Sequence, residues 1–258
     1  MDVSLKGRSA IVTGGSKGIG FAIGKRFAES GADVAVVARG REALDEAVKT
    51  IGATARGRVV ALQGDVAVMA DIQRMYDEGM KALGKIDIIV NNAGTSRAGP
   101  FEAMSDAVLQ DDLELKLFAA VRISRLVLPQ MKERRWGRII NVLNIGAKAP
   151  RAASGPTSIT RAAGMAFTKA LASEYAPFNI LVNGLLVGLI DADQHVQKAK
   201  SRGISLDEYK AGLAKDIPLG RFGQAEEFAN MACFLASDAG SYITGTAINV
   251  DGGRSPVV

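Results

Sequence analysis

Thr13-Gly14-Gly15-Ser16-Lys17-Gly18-Ile19-Gly20 is the stretch that decides the fold. It follows Ser9-Ala10-Ile11-Val12, an apolar run that reads as a buried strand. It precedes Phe21-Ala22-Ile23-Gly24-Lys25-Arg26-Phe27-Ala28, whose apolar spacing is helical. Strand, glycine-rich turn and helix is the arrangement that cradles a phosphate. Glycine lets the backbone turn tightly and approach a pyrophosphate, and the free N–H groups and positive dipole end of the helix favour the anion. Glycine also collects in plain turns, so the context has to decide.

Working outward, apolar strand-like runs recur at 9–13, 33–38, 58–63, 86–90, 138–143, 179–184 and 246–250, with helical patterns between most of them. This alternation predicts an α/β fold, a doubly wound parallel sheet with helices on both faces. No repeat, low-complexity tract or linker interrupts it, so residues 1–258 read as a single domain. With 258 residues and 48% hydrophobic content, the chain can bury a large core. No segment approaches the roughly 20 apolar residues of a membrane span. The opening Met1-Asp2-Val3-Ser4-Leu5-Lys6 carries no signal-peptide pattern, and Cys233 is the only cysteine, which fits a reducing cytoplasm. Cys233 lies in an apolar helical run and reads as a core residue.

The formal charge is +5, which suits a phosphorylated cofactor or an acidic partner. The densest basic run, Lys132-Glu133-Arg134-Arg135-Trp136-Gly137-Arg138, reads as a solvated loop leaving a long helix that ends at Leu128-Pro129, or as a docking patch for an acidic carrier. No nucleic-acid module is recognisable, and aromatic content is 5%.

The second strand, Asp33 to Ala38, ends at Arg39 with Arg41 nearby and no carboxylate at its tip. An acid there would bind the adenosine ribose hydroxyls, whereas a base accommodates a 2′-phosphate. Lys17 adds a second cation from the glycine turn, so the pair favours NADP over NAD. Asp65, with Val66 behind it, follows the third strand and either accepts from an adenine amino group or caps the next helix. Asn91-Asn92-Ala93-Gly94 follows the fourth strand, where small residues and asparagines brace strand ends and let a cofactor lie close.

Thr13 to Gly20, Asp65, Asn91-Asn-Ala-Gly94 and the tail from Gly245 to Asp251-Gly252-Gly253 together resemble the short-chain dehydrogenase/reductase family over nearly the whole chain. The resemblance implies a single Rossmann-like domain with a seven-stranded parallel sheet. It also implies a bound nicotinamide cofactor, alcohol–carbonyl chemistry on a small molecule, and often a homotetramer. Lys17 and Arg39 match the two basic positions of NADP-preferring members. Cofactor contacts carried over fall on Gly14, Ser16, Lys17, Gly18, Ile19, Gly20, Arg39, Asp65, Val66, Asn91, Ala93, Gly94, Arg161, Gly188 and Ile190.

The catalytic Asn, Ser, Tyr and Lys of the family are not repeated. Asn144 stands in the serine's place after Ile140-Asn141-Val142-Leu143, Thr157 in the tyrosine's, and Arg161 in the lysine's. Counting back twelve from Leu128 puts Lys116 in the asparagine's place. A threonine hydroxyl is a far weaker acid than tyrosine, and losing a general acid costs about 10²- to 10⁴-fold in rate. Arg161 keeps a cation near Thr157 but is too firmly protonated to relay protons. Asn144 can still hold a substrate oxygen. Lys116 is the candidate stand-in donor if it faces the pocket; facing solvent at a subunit surface it would be idle. Lys148 reads as exposed. His195, the only histidine, and Tyr209 fall in a polar insertion at 191–215, where the family has its substrate lid. Tyr175 is about 27 Å along the helix from Thr157. Val187-Gly188 replaces the family's Pro-Gly, and Ala192 stands where a cofactor-binding threonine is common. With one histidine and one cysteine, no His/Cys metal site is expected. Three functions remain in competition: an NADP-dependent oxidoreductase with an altered centre, a catalytically silent NADP-binding subunit or sensor, and an enzyme of other chemistry such as dehydration.

Overall fold

The computed structural model describes residues 3–258; Met1 and Asp2, part of the stretch read against a signal peptide, lie outside them. The chain begins β1 (Ser9–Thr13), α1 (Gly18–Glu29), β2 (Asp33–Ala38), α2 (Arg41–Gly52), β3 (Val59–Gln63), α3 (Met69–Leu83) and β4 (Ile88–Asn91). A two-residue strand, β5 (Ala98–Gly99), leads to α4 (Asp106–Leu113), a π-helical turn (Glu114–Phe118) and α5 (Ala119–Arg134). Then come β6 (Gly137–Asn144), β7 (Gly155–Pro156), α6 (Thr157–Tyr175), β8 (Ile180–Val187), α7 (Asp193–Ser201), α8 (Leu206–Ala214), α9 (Ala225–Ala236) and β9 (Ala247–Val250).

Seven strands form one parallel sheet in the order β3-β2-β1-β4-β6-β8-β9. The order reverses between β1 and β4, which opens a crevice above their carboxyl ends. One apolar layer packs Phe27 of α1, Leu44 and Ile51 of α2 and Phe228 of α9 on one face. The other packs Ile72 and Met75 of α3, Val127 and Met131 of α5 and Ala172 of α6 on the opposite face. Strands covered on both faces read as near-continuous apolar runs, which is why their positions were legible.

The sheet departs from the sequence expectation in detail. β4 starts two residues later than expected, and β8 runs on to Val187 because it stays paired with both β6 and β9. β5 and β7 pair as a small antiparallel ribbon too short to leave a pattern.

Two expectations about α5 are overturned. The helix does not end at Leu128-Pro129 but carries Pro129 inside it to Arg134. An interior proline costs roughly 3 kcal/mol, and here burial of Val127, Leu128 and Met131 against the sheet keeps the helix going. The basic run is therefore the end of α5 and the start of β6 rather than a loop, although Lys132 to Arg135 are solvent-exposed as expected. Arg134 donates to Ile86 O and pairs with Asp87, while Arg138 is 1% exposed on β6. The Arg138 guanidinium lies 4.2 Å from the Trp136 ring centroid, and Arg8 stacks on the same indole at 3.6 Å.

Candidate active site at the carboxyl edge of the sheet

The glycine turn is built as a cradle. Gly14 and Gly18 take φ of +64° and +57°, a region L side chains rarely enter. A Cβ on Gly18 would project into open space, and one on Gly20 would fall 2.2 Å from Gly14 O. Ser16 and Ile19 are half-buried and Lys17 is exposed at the N-cap of α1. No side chain caps that terminus and no acidic residue occupies its first turn, so its N–H groups remain available to an anion.

The brace for this loop is a pair the sequence reading only half identified. Thr13 Oγ1 donates to Val90 O and accepts from the Asn92 and Ala93 amides at 2.9 and 3.1 Å. Asn92 Nδ2 donates to Thr13 O and Gly14 O. Asn91 instead points into the sheet, where its amide donates to Asn141 Oδ1 at 2.8 Å while its own Oδ1 has no partner among the described residues. Asp65 Oδ1 accepts from the Ala67 amide at 2.9 Å, a turn two residues on rather than the expected cap of α3, whose N-cap is Val68, while its other oxygen lies 3.6 Å from exposed Arg39. The Val66 side chain is buried in the core, so it can offer only backbone.

Lys116, Thr157 and Arg161 come together, as the motif positions imply, and they bring a partner the sequence reading missed. Lys116 sits in the π-helical turn with its side chain 1% exposed. It faces neither solvent nor an open cleft. Its Nζ lies 2.6 Å from Asp112 Oδ1 and 2.9 Å from Thr157 Oγ1. Asp112 is fully buried; its second oxygen lies 2.7 Å from the Thr160 hydroxyl. The Arg97 amide donates to the same Thr157 oxygen at 3.0 Å. Arg161, one turn on, gives one N–H to Val142 O at 2.7 Å. Gly94 lies over both cations: a Cβ there would be 2.8 Å from Arg161 Nη2 and 3.4 Å from Lys116 Cγ.

The charge balance of the cluster sets its chemistry. Burial pushes the Lys116 ammonium down to about 8, with Arg161 and Arg97 acting in the same direction and Asp112 opposing. Burial likewise lowers Arg161 to about 10, so it stays charged at neutral pH. Asn144, at the end of β6, is partly buried and its Oδ1 has no partner among the described residues.

The residues from 14 to 255 match the family model described as Enoyl-(Acyl carrier protein) reductase. The chain is 34% identical over 257 residues to the 3-oxoacyl-[acyl-carrier-protein] reductase FabG of Aquifex aeolicus, covering 98% of this chain and 99% of the relative. It is 38% identical to the FabG of Chlamydia pneumoniae, covering 98% and 99%. The L-sorbose reductase of Gluconobacter frateurii, solved in complex with NADPH and L-sorbose, superposes with a TM-score of 0.96 at 35% identity over 100% of both chains. The chain belongs to the short-chain dehydrogenase/reductase family. It shares that family's nucleotide-binding oxidoreductase fold.

The remaining expected positions of this short-chain dehydrogenase/reductase divide between cleft and core. Gly188 follows β8 directly, with its amide on Val250 O; a Cβ there would fall 2.5 Å from the Asp251 Cβ, so glycine is required by packing. Ile190 is buried, and its carbonyl meets His195 Nε2 at 3.0 Å. His195 is 2% exposed, with its ring edge-on to Phe222 at 5.0 Å and tilted against Tyr209 at 5.9 Å. His195 and Tyr209 therefore fill the core of the 191–215 insertion instead of facing substrate. Burial and Lys198 hold the imidazole pKa below its ordinary value. Lys148 is half-buried rather than exposed, and Tyr175 packs on Phe178 at the far end of α6. A cavity of about 310 Å³ adjoins the cluster, lined by Phe101, Met104, Arg151, Ile159 and, next to Thr157, Gly155 and Ser158. At 100° per residue, Ile159 points some 200° around α6 from Thr157.

Proposed function

We propose that this protein is an NADPH-dependent reductase of a small carbonyl compound, working with Lys116 as its proton source. The observation that carries the reading is the Lys116 ammonium, 2.9 Å from the Thr157 hydroxyl and within the same buried cluster as Arg161. The glycine cradle fits a dinucleotide: Gly14 and Gly18 hold the backbone open, and Lys17 and Arg39 supply cations for a 2′-phosphate. A reduced nicotinamide supplies hydride when bound. Arg161 would hold its ribose hydroxyls, Asn144 the substrate oxygen, and the backbone at Gly188 and Ile190 the carboxamide. The relatives named as 3-oxoacyl carrier-protein reductases and the sorbose reductase complexed with NADPH support carbonyl reduction. The insertion at 191–215 is the proposed substrate lid. Assembly as a homotetramer is proposed from the family resemblance, and a cytoplasmic setting from the single cysteine.

A second reading is supported by the burial of Lys116. An ammonium sealed to 1% exposure also fits a structural plug in a cofactor-binding subunit that performs no turnover. Fluorescence titration with NADPH and NADH, followed by assay on a broad carbonyl panel, separates the two. The reductase reading expects micromolar NADPH binding and turnover lost in Lys116→Ala. Tight NADPH binding without turnover, and none gained by Thr157→Tyr with Arg161→Lys, supports the silent subunit.

A further inference from the structure

A hydroxyl oxygen has two acceptor positions and one proton to give. At Thr157 both acceptor positions are filled, by the Arg97 amide at 3.0 Å and by Lys116 Nζ at 2.9 Å. Among the described residues nothing accepts the Thr157 proton. The geometry of two incoming donors directs the O–H away from both, and Thr157 is itself buried, 5% exposed. Lys116 is sealed from solvent, so Thr157 is its way out. Behind it, Asp112 receives Lys116 at 2.6 Å, and the Thr160 hydroxyl, 2.7 Å from the other carboxylate oxygen, fixes the orientation of that carboxylate. The π-helical turn at Glu114–Phe118 aims the lysine inward, the kind of distortion that recurs at functional sites.

We propose that Thr157 is the immediate proton donor to the substrate oxygen, that Lys116 refills it, and that Asp112 is the positioning residue that keeps Lys116 protonated and in line. The proposal rests on the reductase reading. As hydride reaches the carbonyl carbon, the C=O π pair moves onto oxygen. That oxygen takes the Thr157 proton, and Thr157 takes one from Lys116. Lys116 is left as a neutral amine and regains its proton from water after product leaves. An alkoxide formed from a carbonyl is about as basic as a threonine alkoxide, so the first transfer is nearly balanced, and the ammonium draws it forward. A weak acid is thus sufficient, because the hydroxyl passes a proton and never holds the charge.

Side-chain size at 157 tests the line. Thr157→Ser keeps the hydroxyl and is expected within about 10-fold of wild-type kcat. Thr157→Val keeps the shape but not the proton and is expected to lose about 10²- to 10⁴-fold, with NADPH affinity unchanged. Thr157→Ala leaves room for a water in the hydroxyl's place and falls between them. Lys116 is read separately, in the free protein, by NMR titration of its ¹³Cε. The wild type is expected to titrate near 8. Asp112→Asn removes the carboxylate that favours the ammonium, so both the NMR midpoint and the alkaline limb of the reductase pH profile shift to lower pH by about one unit or more. Thr157→Val retaining reductase activity within about 10-fold, or an Asp112→Asn protein with an unmoved Lys116 midpoint, overturns the line. A wild type inactive on every carbonyl sinks the reductase reading instead, and the lysine titration then decides the Asp112–Lys116 part alone.

Discussion

Lys116 sets the pH behaviour expected of the molecule. The folded protein holds its proton only to about 8, whereas the unfolded chain holds it to about 10.5. Between those values the unfolded state binds more protons, so stability rises with pH and the charged lysine costs the fold about 3 kcal/mol below pH 8. Urea denaturation of wild type and Lys116→Met across pH 7–10.5 is expected to show this rise only in the wild type. The same group predicts that carbonyl reduction declines as pH rises through about 8, since the donating form is the ammonium, while alcohol oxidation increases; initial rates in both directions check this. Lys116 was visible in the sequence as a motif position, but its burial was not. Asp112 was invisible. In Gln110-Asp111-Asp112 it looks like any acid on a polar helix, and only the fold shows that it and Lys116, four residues on, are both buried and paired.

At the level of elements, the strands and the glycine turn were legible because their signals are local: apolar runs, and glycine where φ is positive. The π-helical turn was not, since inserting one residue into a helix leaves composition unchanged while re-aiming Lys116. Gly20, in the first turn of α1, has no room for an added carbon. Gly20→Ala brings a Cβ within 2.2 Å of Gly14 O. Its expected cost is about 1–3 kcal/mol of stability together with a loss of NADPH affinity exceeding 10-fold, measured by thermal melts and fluorescence titration. The 191–215 segment packs His195 and Tyr209 together and against Phe222 beyond it, and is tied to the sheet end through Ile190 and to Asp191 by Lys210 at 2.6 Å. Because the folded imidazole pKa is lowered from 6.5, the unfolded segment takes up the proton first as pH falls below that value, and folded stability drops. Hydrogen exchange at pH 5 against pH 7 is expected to show opening of residues 191–215 in wild type, and less pH dependence in His195→Phe.

Across the whole molecule, the sheet separates tasks by its two ends. Every residue proposed to meet cofactor or substrate lies at or beyond the carboxyl ends of the strands, at the β1/β4 switch point and along β6 and β8. Arg39, exposed and 3.6 Å from Asp65, stands at the far side of that edge. Arg39→Ala is expected to weaken NADPH binding about 10-fold or more, the scale of a charge-assisted hydrogen bond, while leaving NADH nearly untouched; paired titrations measure the ratio. At the opposite end, the single indole of the chain, Trp136, is gripped by Arg8 and Arg138 just before β6 begins. Eight residue steps along β6 carry the chain from it to Asn144, about 26 Å. Its ultraviolet emission therefore works as an internal gauge of the sheet's foot. It should stay constant while substrate analogues load the cleft, and change only when Arg8 and Arg138 let go of the ring as the domain melts.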